Sequence, residues 1–531
     1  MIMNLFNRFL NKKNRELTFF AFDKRVYVIA KYNGEFRYGA SRDGFNFQET
    51  KKEIKKINEV WKVIKRKRLV ESKIFSNNLS IEGENVNSSN LRIEGTIKGR
   101  TKTTVFFDYQ KELGIIETGV IVLDNNNLTK ILWWGMEPVW KSPKEWIGKE
   151  TKLVGFLRLK KKILVYWQVN GLGVMVISYP KFKVSHKIKI KNSWQLNKNE
   201  SNPIICPNEK NEWEAFATFN PAAIFLVDKV HLLYRAQGFD YRSVLGYANS
   251  SNGIEIEERF DEPAYLPRKP FERKDKNKKV VRDFMSGGGC DGCEDPRIVQ
   301  IGKKIYMTYV AFDGCDPPRI ALTSIKLTDF LNKKWLWTRP VLISPPGVVD
   351  KSACILPKKI KGKYVVFHRI FPNILVDYVD NLDFKDGQYL KGEYKISPRS
   401  PMWWDSRKIG VAAPPILTKD GWLLIYQAVD DKNAGHYQVG AMILKADEPQ
   451  VELYRSQYPI LEPDQWYENN GFKAGVVYPC GAVLIEKQLF VYYGGADKYV
   501  CVATANLDQF LNKLKKGGEC KLEGTILGVI K

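Results

Sequence analysis

One short stretch of the sequence concentrates residue types that can do chemistry. Residues 286–298 read SGGGCDGCEDPRI: three glycines, two cysteines at CxxC spacing, an acidic pair, a proline and an arginine. A structural zinc site needs four ligands, but the sequence has no second CxxC and only four histidines, so no metal site is expected. The glycines do not match a GxxxxGK[ST] loop, and Pro296 interrupts the helix that a thioredoxin-type cysteine pair requires.

A positioned carboxylate fits the same stretch better. Glycines allow the backbone to approach a ligand closely, and Pro296 restricts the chain directly after Asp295. An aspartate held against apolar walls keeps its proton more readily, so Asp295 is a candidate general acid. The alternative is structural, because Asp295 and Arg297 could form a buried ion pair that anchors the loop. The residues alone leave both interpretations open.

The elements that must position this loop are short strands in a repeated unit. Each copy has a polar turn, four or five apolar residues and then an abrupt polar position. The copies are DKVHLLYRA (228–236), GKKIYMTYVA (302–311), GKYVVFHRI (362–370), GWLLIYQAV (421–429) and KQLFVYYGGAD (487–497). The residues directly after the apolar runs are Arg235, Val310, Arg369, Gln427 and Tyr493, so successive copies lie 58 to 75 residues apart.

Five such copies predict an all-β protein with a five-bladed β-propeller covering about 200–520. Blades pack around an axis, so equivalent strand ends would bring Arg235, Arg369 and Gln427 into one central funnel. A pair of β-sandwiches is the alternative. We expect an additional N-terminal β-rich domain of unknown role over 1–190 and a catalytic propeller domain over 191–531.

Composition limits the partners and the location. The net charge is +25, but the lysines are scattered and are not interleaved with aromatics, so no nucleic acid partner is expected. The most apolar stretch, 163–180, has Asn170-Gly171 at its centre, which indicates a hairpin and not a membrane span. Eight cysteines and an N-terminus without a signal-peptide pattern favour a cytoplasmic protein. Homo-oligomer formation stays open.

Several motifs together resemble glycoside hydrolase family 130, the β-mannoside phosphorylases and related mannosidases. The resemblance covers about 200–515. Its motifs, in order, are NPIICP (202–207), WEAFATFNPAAI (213–224), LLYRA (232–236), CEDPRI (293–298), DKSACILPKKIKGKYVVFHR (350–369), RKIGVAAPPILTKDGWLLIYQ (407–427), VVYPCGAV (476–483) and YYGGAD (492–497). Members of this family are five-bladed propellers.

The resemblance implies an inverting mechanism, in which phosphate attacks the anomeric carbon while Asp295, as general acid, protonates the glycosidic oxygen through a sugar hydroxyl. It also implies that no cofactor is needed and that inorganic phosphate is the co-substrate. The implied phosphate-binding residues are Arg235, Lys351, Arg369, Lys408 and Gln427. The implied substrate-binding residues are Asn220, Glu294, Arg297, Tyr493 and Asp497, although a turn or core role is equally open for Asn220, Tyr493 and Asp497.

Two positions depart from the family pattern. Gln427 stands where phosphorylases of the family commonly have histidine, and Lys351 stands where some members have arginine. We expect an inverting phosphorylase that cleaves β-mannoside oligosaccharides to mannose 1-phosphate. A β-mannosidase on the same scaffold and a non-catalytic glycan-binding propeller are the alternatives. The linkage, β-1,4 or β-1,2, has no readable code in the sequence.

Overall fold

The computed structural model describes residues 16–22, 25–32, 35–42, 47–49, 80–81, 84–85, 92–98, 100–128, 131–134, 138–159, 162–180, 195–275, 277, 279–399, 403–431, 433–515 and 525–529. The described chain is mostly β-strand, as the sequence predicts. It forms two compact units. The first comprises 1–189, 400–403 and 519–531, and the second comprises 190–399 and 404–518.

The first unit contains antiparallel sheets. One sheet is Glu16–Phe22, Arg25–Tyr32, Glu35–Ser41 and Gln48–Glu49, and another is Arg92–Lys98, Lys102–Glu112, Ile115–Asp124, Ile131–Trp134 and Trp140–Lys141. A third is Thr151–Arg158, Lys162–Val169, Gly173–Pro180 and Thr525–Val529, and Ser80–Ile81 pairs with Glu84–Asn85. A 3₁₀ turn spans Lys144–Trp146. The expected hairpin at 163–180 is confirmed, with Gly171 at a φ of +79° in its turn.

The C-terminal boundary differs from the expected domain 191–531. Thr525–Val529 pairs with Gly173–Pro180, so the end of the chain belongs to the first unit. The physical reason is sheet completion, since this strand supplies hydrogen-bond partners to an edge that would otherwise be unpaired. A five-residue strand next to a charged segment carries no pattern that would assign it to one unit or the other.

The described strands of the second unit form four sheets, and the largest, of eight strands, consists of two antiparallel groups joined by a short parallel pairing of Arg242–Ser250 with Asp291–Ile301. We number the five antiparallel groups I to V in chain order and call each a sheet. Sheet I is Ala217–Leu226, Lys229–Gln237, Arg242–Ser250 and Glu258–Arg259, and sheet II is Asp291–Ile301, Lys304–Phe312, Arg319–Lys326 and Val341–Leu342. Sheet III is Asp350–Ile355, Tyr364–Ile370, Asn373–Val379 and Tyr394–Ile396. Sheet IV is Lys408–Val411, Ile416–Thr418, Gly421–Val429, Gln438–Lys445 and Glu448–Arg455. Sheet V is Val477–Ile485, Gln488–Gly495, Tyr499–Asn506 and the distant Asn197–Lys198.

The repeated sequence unit is the second long strand of each sheet. Its apolar runs fall in Lys229–Gln237, Lys304–Phe312, Tyr364–Ile370, Gly421–Val429 and Gln488–Gly495. These strands are buried on both faces, which explains why they read as continuous apolar runs and not as alternating patterns. Short helical segments lie in the loops between strands and after the last strand of sheet V: Glu212–Glu214, Pro270–Glu272, Arg282–Phe284, Leu327–Leu331, Trp466–Glu468 and Leu507–Lys515.

The first strands of sheets I, II and III carry the same irregularity. Each contains one extra residue relative to its partner strand, and at that point Asn220, Asp295 and Ser352 take φ values of +49°, +51° and +56°. Proline follows Asn220 and Asp295. Such β-bulges redirect a side chain out of the regular alternation of the strand. Three equivalent bulges therefore turn three polar side chains away from their sheets at matching heights.

A buried carboxylate pair beside a cation-lined cavity

Asp295 is buried and held from two sides. Its side chain is 2% exposed, and Oδ1 accepts hydrogen bonds from Nδ2 of Asn220 at 2.8 Å and from Nη1 of Arg235 at 3.2 Å. Arg235 also donates from Nη2 to Oε1 of the preceding Glu294 at 2.9 Å. One guanidinium thus bridges two consecutive carboxylates, an arrangement that fixes both geometrically and electrostatically.

The three carboxyl groups near Arg235 have pKa values that are shifted in different directions. Burial pushes the pKa of Asp295 up, but Arg235, Arg297 and the Asn220 hydrogen bond outweigh it, and the net pKa lies below 3.8. Burial raises the pKa of Glu294 above 4.5 despite Arg235 and Lys351. Burial also raises the pKa of Asp497 to about 6, with Arg235 opposing the shift. The fixed cations next to Asp295 therefore favour its anionic form, so its role as a general acid stays a prediction.

A polar cavity of about 210 Å³ is lined in part by Lys351, which connects it to Glu294, although neither Glu294 nor Asp295 lines the cavity itself. Its cationic lining residues are Lys351, Arg369 and Lys408. Nζ of Lys351 lies 3.6 Å from Oε2 of Glu294, and Lys351 is directly opposite Arg369 in the register of sheet III. Nε of Arg369 is buried and has no hydrogen-bond partner among the described residues. The cavity therefore presents positive charge that the described protein groups satisfy only in part.

Lys408 is the cation most affected by its neighbours. Burial, followed by repulsion from Arg369, Lys473 and Lys351, lowers the pKa of Lys408 to about 7. Its Nζ lies 2.6 Å from the hydroxyl of Tyr437, and Nζ of Lys473 lies 4.7 Å from the centre of the same ring. An anion in the cavity would favour the charged form of Lys408, because an opposite charge nearby stabilises an ammonium.

A buried histidine is adjacent in the chain to one of these cations. His368 precedes Arg369, and its Nδ1 and Nε2 lie 2.6 Å and 2.9 Å from Oδ2 of Asp350 and Oδ2 of Asp377. Burial alone would lower the pKa of His368, but hydrogen bonds to both carboxylates outweigh it and raise the pKa to about 9. Asp377 also accepts from the backbone N–H of Gly392 at 3.0 Å. The imidazolium thus bridges the first and third strands of sheet III through its two carboxylate partners.

Three of the expected site residues have all or most of their polar groups engaged by the protein. Arg235 binds carboxylates and the Ser286 carbonyl, and it does not line the cavity, because burial forces its charge to be paired. Arg297 donates to the carbonyl oxygens of Ala412, Asp295 and Val411, so it joins sheets II and IV. The Tyr493 hydroxyl donates to Glu468 Oε1 at 2.9 Å inside an apolar core. Binding of phosphate by Arg235 and of sugar by Arg297 and Tyr493 stays a prediction.

Gln427 lines the cavity but its amide is also engaged. The orientation that satisfies both ends has the nitrogen donating to the carbonyls of Gly410 and Val411 at 2.9 and 3.0 Å. The oxygen then accepts from Ser352 and Tyr478 at 2.9 and 3.2 Å. The expected donation from Gln427 to phosphate is therefore absent from this network, since both amide hydrogens are already used.

Other residues of the site were not singled out from the sequence. Tyr437 and Tyr478 line the cavity, Ser352 contacts Gln427 and Tyr478, and Lys473 lies over the ring of Tyr437. The equivalence of the three residues could have been found in the sequence, because Asn220, Asp295 and Ser352 lie 15, 15 and 17 residues before the residues that end the apolar runs of their repeats, Arg235, Val310 and Arg369. Lys473 lies in a loop, where no periodic pattern points to a position.

The glycines and cysteines of 286–298 have structural roles. A Cβ on Gly289 would lie 2.5 Å from Nη2 of Arg235, so glycine is needed for the loop to pass the guanidinium. Cys293 is a buried thiol 3.5 Å from Oε1 of Glu272, and Cys290 Sγ lies 3.4 Å from the Asp240 carbonyl. Within the described residues, no three histidine, cysteine or acidic side chains cluster closely enough to hold a metal ion.

The buried carboxylate pair and the cation-lined cavity together could bind an anion close to a group able to transfer a proton. A sequence profile described as beta-1,4-mannooligosaccharide phosphorylase matches residues 189–516. The chain therefore belongs to glycoside hydrolase family 130, and the resemblance seen in its motifs is confirmed.

Individual relatives cover the same part of the chain. The beta-1,2-mannobiose phosphorylase of Thermoanaerobacter sp. (strain X514) is 37% identical over 323 residues, which are 58% of this chain and 97% of that protein. The 1,2-beta-oligomannan phosphorylase of the same strain is 37% identical over 319 residues, 58% of this chain and 96% of that protein. A solved structure of beta-1,2-mannobiose phosphorylase from Listeria innocua in complex with beta-1,2-mannobiose aligns at 22% identity and a TM-score of 0.49, covering 61% of this chain and 99% of that one.

Proposed function

We propose that this protein is an inverting mannoside phosphorylase, which cleaves β-mannosides with inorganic phosphate and releases mannose 1-phosphate. The observation that carries the proposal is the cavity lined by Lys351, Arg369 and Lys408, adjacent to the pair Glu294 and Asp295. Arginine binds phosphate through two parallel hydrogen bonds and lysine binds it as a point charge. Identity of 37% to two phosphorylases over nearly their whole length supports the same reaction.

In the proposed reaction a phosphate oxygen attacks the anomeric carbon as the bond to the glycosidic oxygen breaks. Asp295 supplies the proton that this oxygen needs, relayed through a sugar hydroxyl. Because the cations beside Asp295 favour its anionic form, it must take up a proton from solvent as the substrates bind, and it then passes this proton to the departing sugar oxygen. Phosphate in the cavity favours this step, since its negative charge offsets the cations that keep the pKa of Asp295 low. Arg235 and Asn220 orient the carboxylate, and Asp497 is proposed to contact the sugar.

We infer that sheets I to V are the five blades of a propeller. The first strands of sheets I, II, III and IV contact one another in that order, sheet IV contacts Val477–Ile485, and that strand contacts Ala217–Leu226. Asn197–Lys198, which precedes sheet I, pairs with Tyr499–Asn506 of sheet V. A ring that is closed by pairing its first strand with its last blade supports this arrangement. It would place Asp295 and the three cations near one axis.

We propose that the protein acts in the cytoplasm. Cys206, Cys290, Cys293, Cys354, Cys480 and Cys501 are all thiols, which is typical of a reducing compartment. Among the described residues, no helix has the length and apolar character needed to cross a membrane.

The proposal is tested by incubating the purified protein with β-1,2-mannobiose and, separately, β-1,4-mannobiose, each with and without inorganic phosphate. We expect mannose 1-phosphate only when phosphate is present, with α configuration in the NMR spectrum because the anomeric centre inverts. Equal release of free mannose with and without phosphate would instead identify a β-mannosidase. Binding of the sugars without turnover would identify a glycan-binding protein. Comparison of the two disaccharides assigns the linkage.

A further inference from the structure

Four aromatic side chains form a partly exposed patch in the second unit. Phe216 is at its centre, with ring centroids of Phe239, Tyr241 and Phe472 at 6.1, 5.0 and 6.1 Å. All three contacts are edge-to-face, and the outer rings of Phe239, Tyr241 and Phe472 belong to residues that are 69%, 41% and 51% exposed. We call these four residues the aromatic patch.

The exposure of these rings is not explained by folding. Phe239 and Tyr241 lie in the turn between Lys229–Gln237 and Arg242–Ser250, where polar residues would form the same connection. Contiguous apolar surface of this kind is rare on a protein surface unless it binds something. Aromatic rings with exposed faces suit the C–H faces of sugar rings, because the negative ring face attracts weakly positive C–H groups.

The patch borders the loop that forms one wall of the site. The ring of Phe472 lies so close to Gly288 that a Cβ there would be 3.0 Å from it. Two residues earlier, Ser286 lines the cavity and its carbonyl accepts from Nη2 of Arg235 at 2.6 Å. At the other end of the loop, the backbone N–H of Cys290 donates to the carbonyl of Tyr241 at 2.9 Å. A single stretch, 286–290, thus connects the patch to the reacting groups.

The size of the cavity requires additional surface for an oligosaccharide. Its volume of about 210 Å³ is below the 300 Å³ or so at which pockets for drug-sized ligands begin. Its lining is mostly polar and charged, which suits phosphate and one reacting sugar. The remaining sugar units must therefore extend beyond the cavity, and the aromatic patch is the exposed apolar surface that continues from its loop wall.

We propose that the aromatic patch binds the sugar units of a β-mannoside chain that are remote from the bond being cleaved, so that the preferred substrates have three or more units. This inference rests on the proposed function and deepens it. It assigns the recognition of longer substrates to Phe239, Tyr241 and Phe472, which have no contact with the carboxylate pair or with the cavity cations. Under this proposal the disaccharide does not use the patch, so it serves as an internal reference.

The test compares phosphorolysis of di-, tri- and tetrasaccharides of the linkage that the wild-type protein accepts. Phe239→Ala and Tyr241→Ala should lower kcat/KM for the tri- and tetrasaccharide by about two- to tenfold, the range expected for losing one aromatic contact, and leave the disaccharide unchanged. Phe239→Trp, unlike Phe239→Ala, should retain the wild-type preference for longer chains, because it keeps an aromatic ring at this position. Tyr454→Ala is the matched control, because this residue is 38% exposed on Glu448–Arg455, an outer strand of sheet IV. Unfolding temperatures confirm that each variant is folded.

The outcomes separate the two proposals. If the wild-type protein cleaves the disaccharide but the patch variants treat all chain lengths alike, the patch inference is wrong and the proposed function stands. Equal losses on all lengths would likewise overturn the inference, because they indicate a general structural effect. A patch variant that changes only the oligomeric state in size-exclusion chromatography would identify a protein interface instead. Absence of activity on every mannoside tested would overturn both.

Discussion

Asn220 donates a hydrogen bond to Asp295, Nδ2 to Oδ1 at 2.8 Å, from the equivalent bulge of the neighbouring sheet. Both residues adopt positive φ and both precede proline. A left-handed conformation is rare for a residue with a side chain and is retained only where the surroundings enforce it. The two bulges therefore act together: one presents the carboxylate, and the other presents the amide that holds it.

Replacement of this carboxylate tests its role directly. Asp295→Asn keeps an oxygen that accepts from Asn220 and Arg235, but it removes the group that transfers a proton. We expect kcat for phosphorolysis to fall by about 10²- to 10⁴-fold while the unfolding temperature changes little. Asp283→Asn is the control, because Asp283 lines the cavity but has no contact with Asn220 or Arg235. Near-normal kcat in Asp295→Asn would remove Asp295 from proton transfer.

The pKa of Lys408 predicts how phosphate binding depends on pH. Since burial and neighbouring cations lower this pKa to about 7, the ammonium loses its proton as the pH rises through neutrality. The KM for phosphate in the wild-type protein should therefore rise between about pH 6 and about pH 9 relative to Lys408→Arg, whose guanidinium stays charged. Because phosphate itself titrates identically in both assays, the ratio of the two KM values isolates the lysine.

Two further measurements test whether Lys408 binds phosphate as an ammonium. Lys408→Ala should raise the KM for phosphate more than the KM for the sugar. In the folded protein Lys408 binds its proton less tightly than in the unfolded chain, so folding stability should increase with pH between about 7 and about 10.5 relative to Lys408→Met. A constant KM ratio across the pH range would show that Lys408 does not bind phosphate in its charged form.

The sequence predicts the strands and the cationic residues of the site more clearly than it predicts the contacts between them. Each repeated apolar run is a strand, because a strand buried on both faces needs continuous apolar residues. Lys351, Arg369 and Lys408, taken from the family motifs, all line one cavity. Their burial next to like charges is a property of the assembled sheets, and it is not encoded in any one segment.

The contacts of Arg235 and Arg297 could not be predicted from the sequence, for a physical reason. Arginine has five N–H donors, and its motif does not tell whether they bind a ligand, a carboxylate or backbone carbonyls. In the structure Arg235 pairs with Glu294 and Asp295, whereas Arg297 binds carbonyl groups of sheet IV. Proline normally keeps the preceding residue extended, so the positive φ of Asp295 was also not predictable from its local sequence.

His368 predicts a pH-dependent contribution to stability. Its pKa is raised to about 9 in the folded protein, above the ordinary 6.5, so its stabilising contribution is complete below about pH 6.5 and is lost as the pH rises through about 9. His368→Gln leaves Asp350 and Asp377 without their shared cation, and we expect a loss of about 3–5 kcal/mol near neutral pH. Denaturant unfolding at several pH values measures the difference from wild type.

The expected pattern is a difference in unfolding free energy that is largest between about pH 5 and about pH 6.5. It shrinks above about pH 9 as His368 loses its proton, and also at acidic pH as Asp377, whose pKa His368 lowers, becomes protonated. His436→Gln is the control, since burial lowers the pKa of His436 and removes any stabilising charge at neutral pH. A difference that stays constant with pH would mean that His368 contributes packing and hydrogen bonds but not a positive charge.

Gly494 tests whether the Asn220–Asp295 contact depends on the packing of sheet V against sheet I. A Cβ on Gly494 would lie 2.1 Å from Oδ1 and 2.8 Å from the backbone nitrogen of Asn220, so Gly494→Ala must displace Asn220. We expect overpacking to lower the free energy of unfolding by about 1–3 kcal/mol. We also expect kcat to fall by a larger fraction than the free energy of unfolding does, because the displaced Asn220 holds Asp295. Gly435→Ala is the matched control, because its Cβ would meet only Oδ1 of Asn433, at 3.4 Å.

A double-mutant cycle with Asn220→Ala tests whether Asn220 transmits the effect. If it does, Gly494→Ala should lower kcat less in the Asn220→Ala protein than in the wild-type protein. Equal losses of kcat in both backgrounds would show that the displaced group is not Asn220, and that Asp295 is oriented mainly by Arg235.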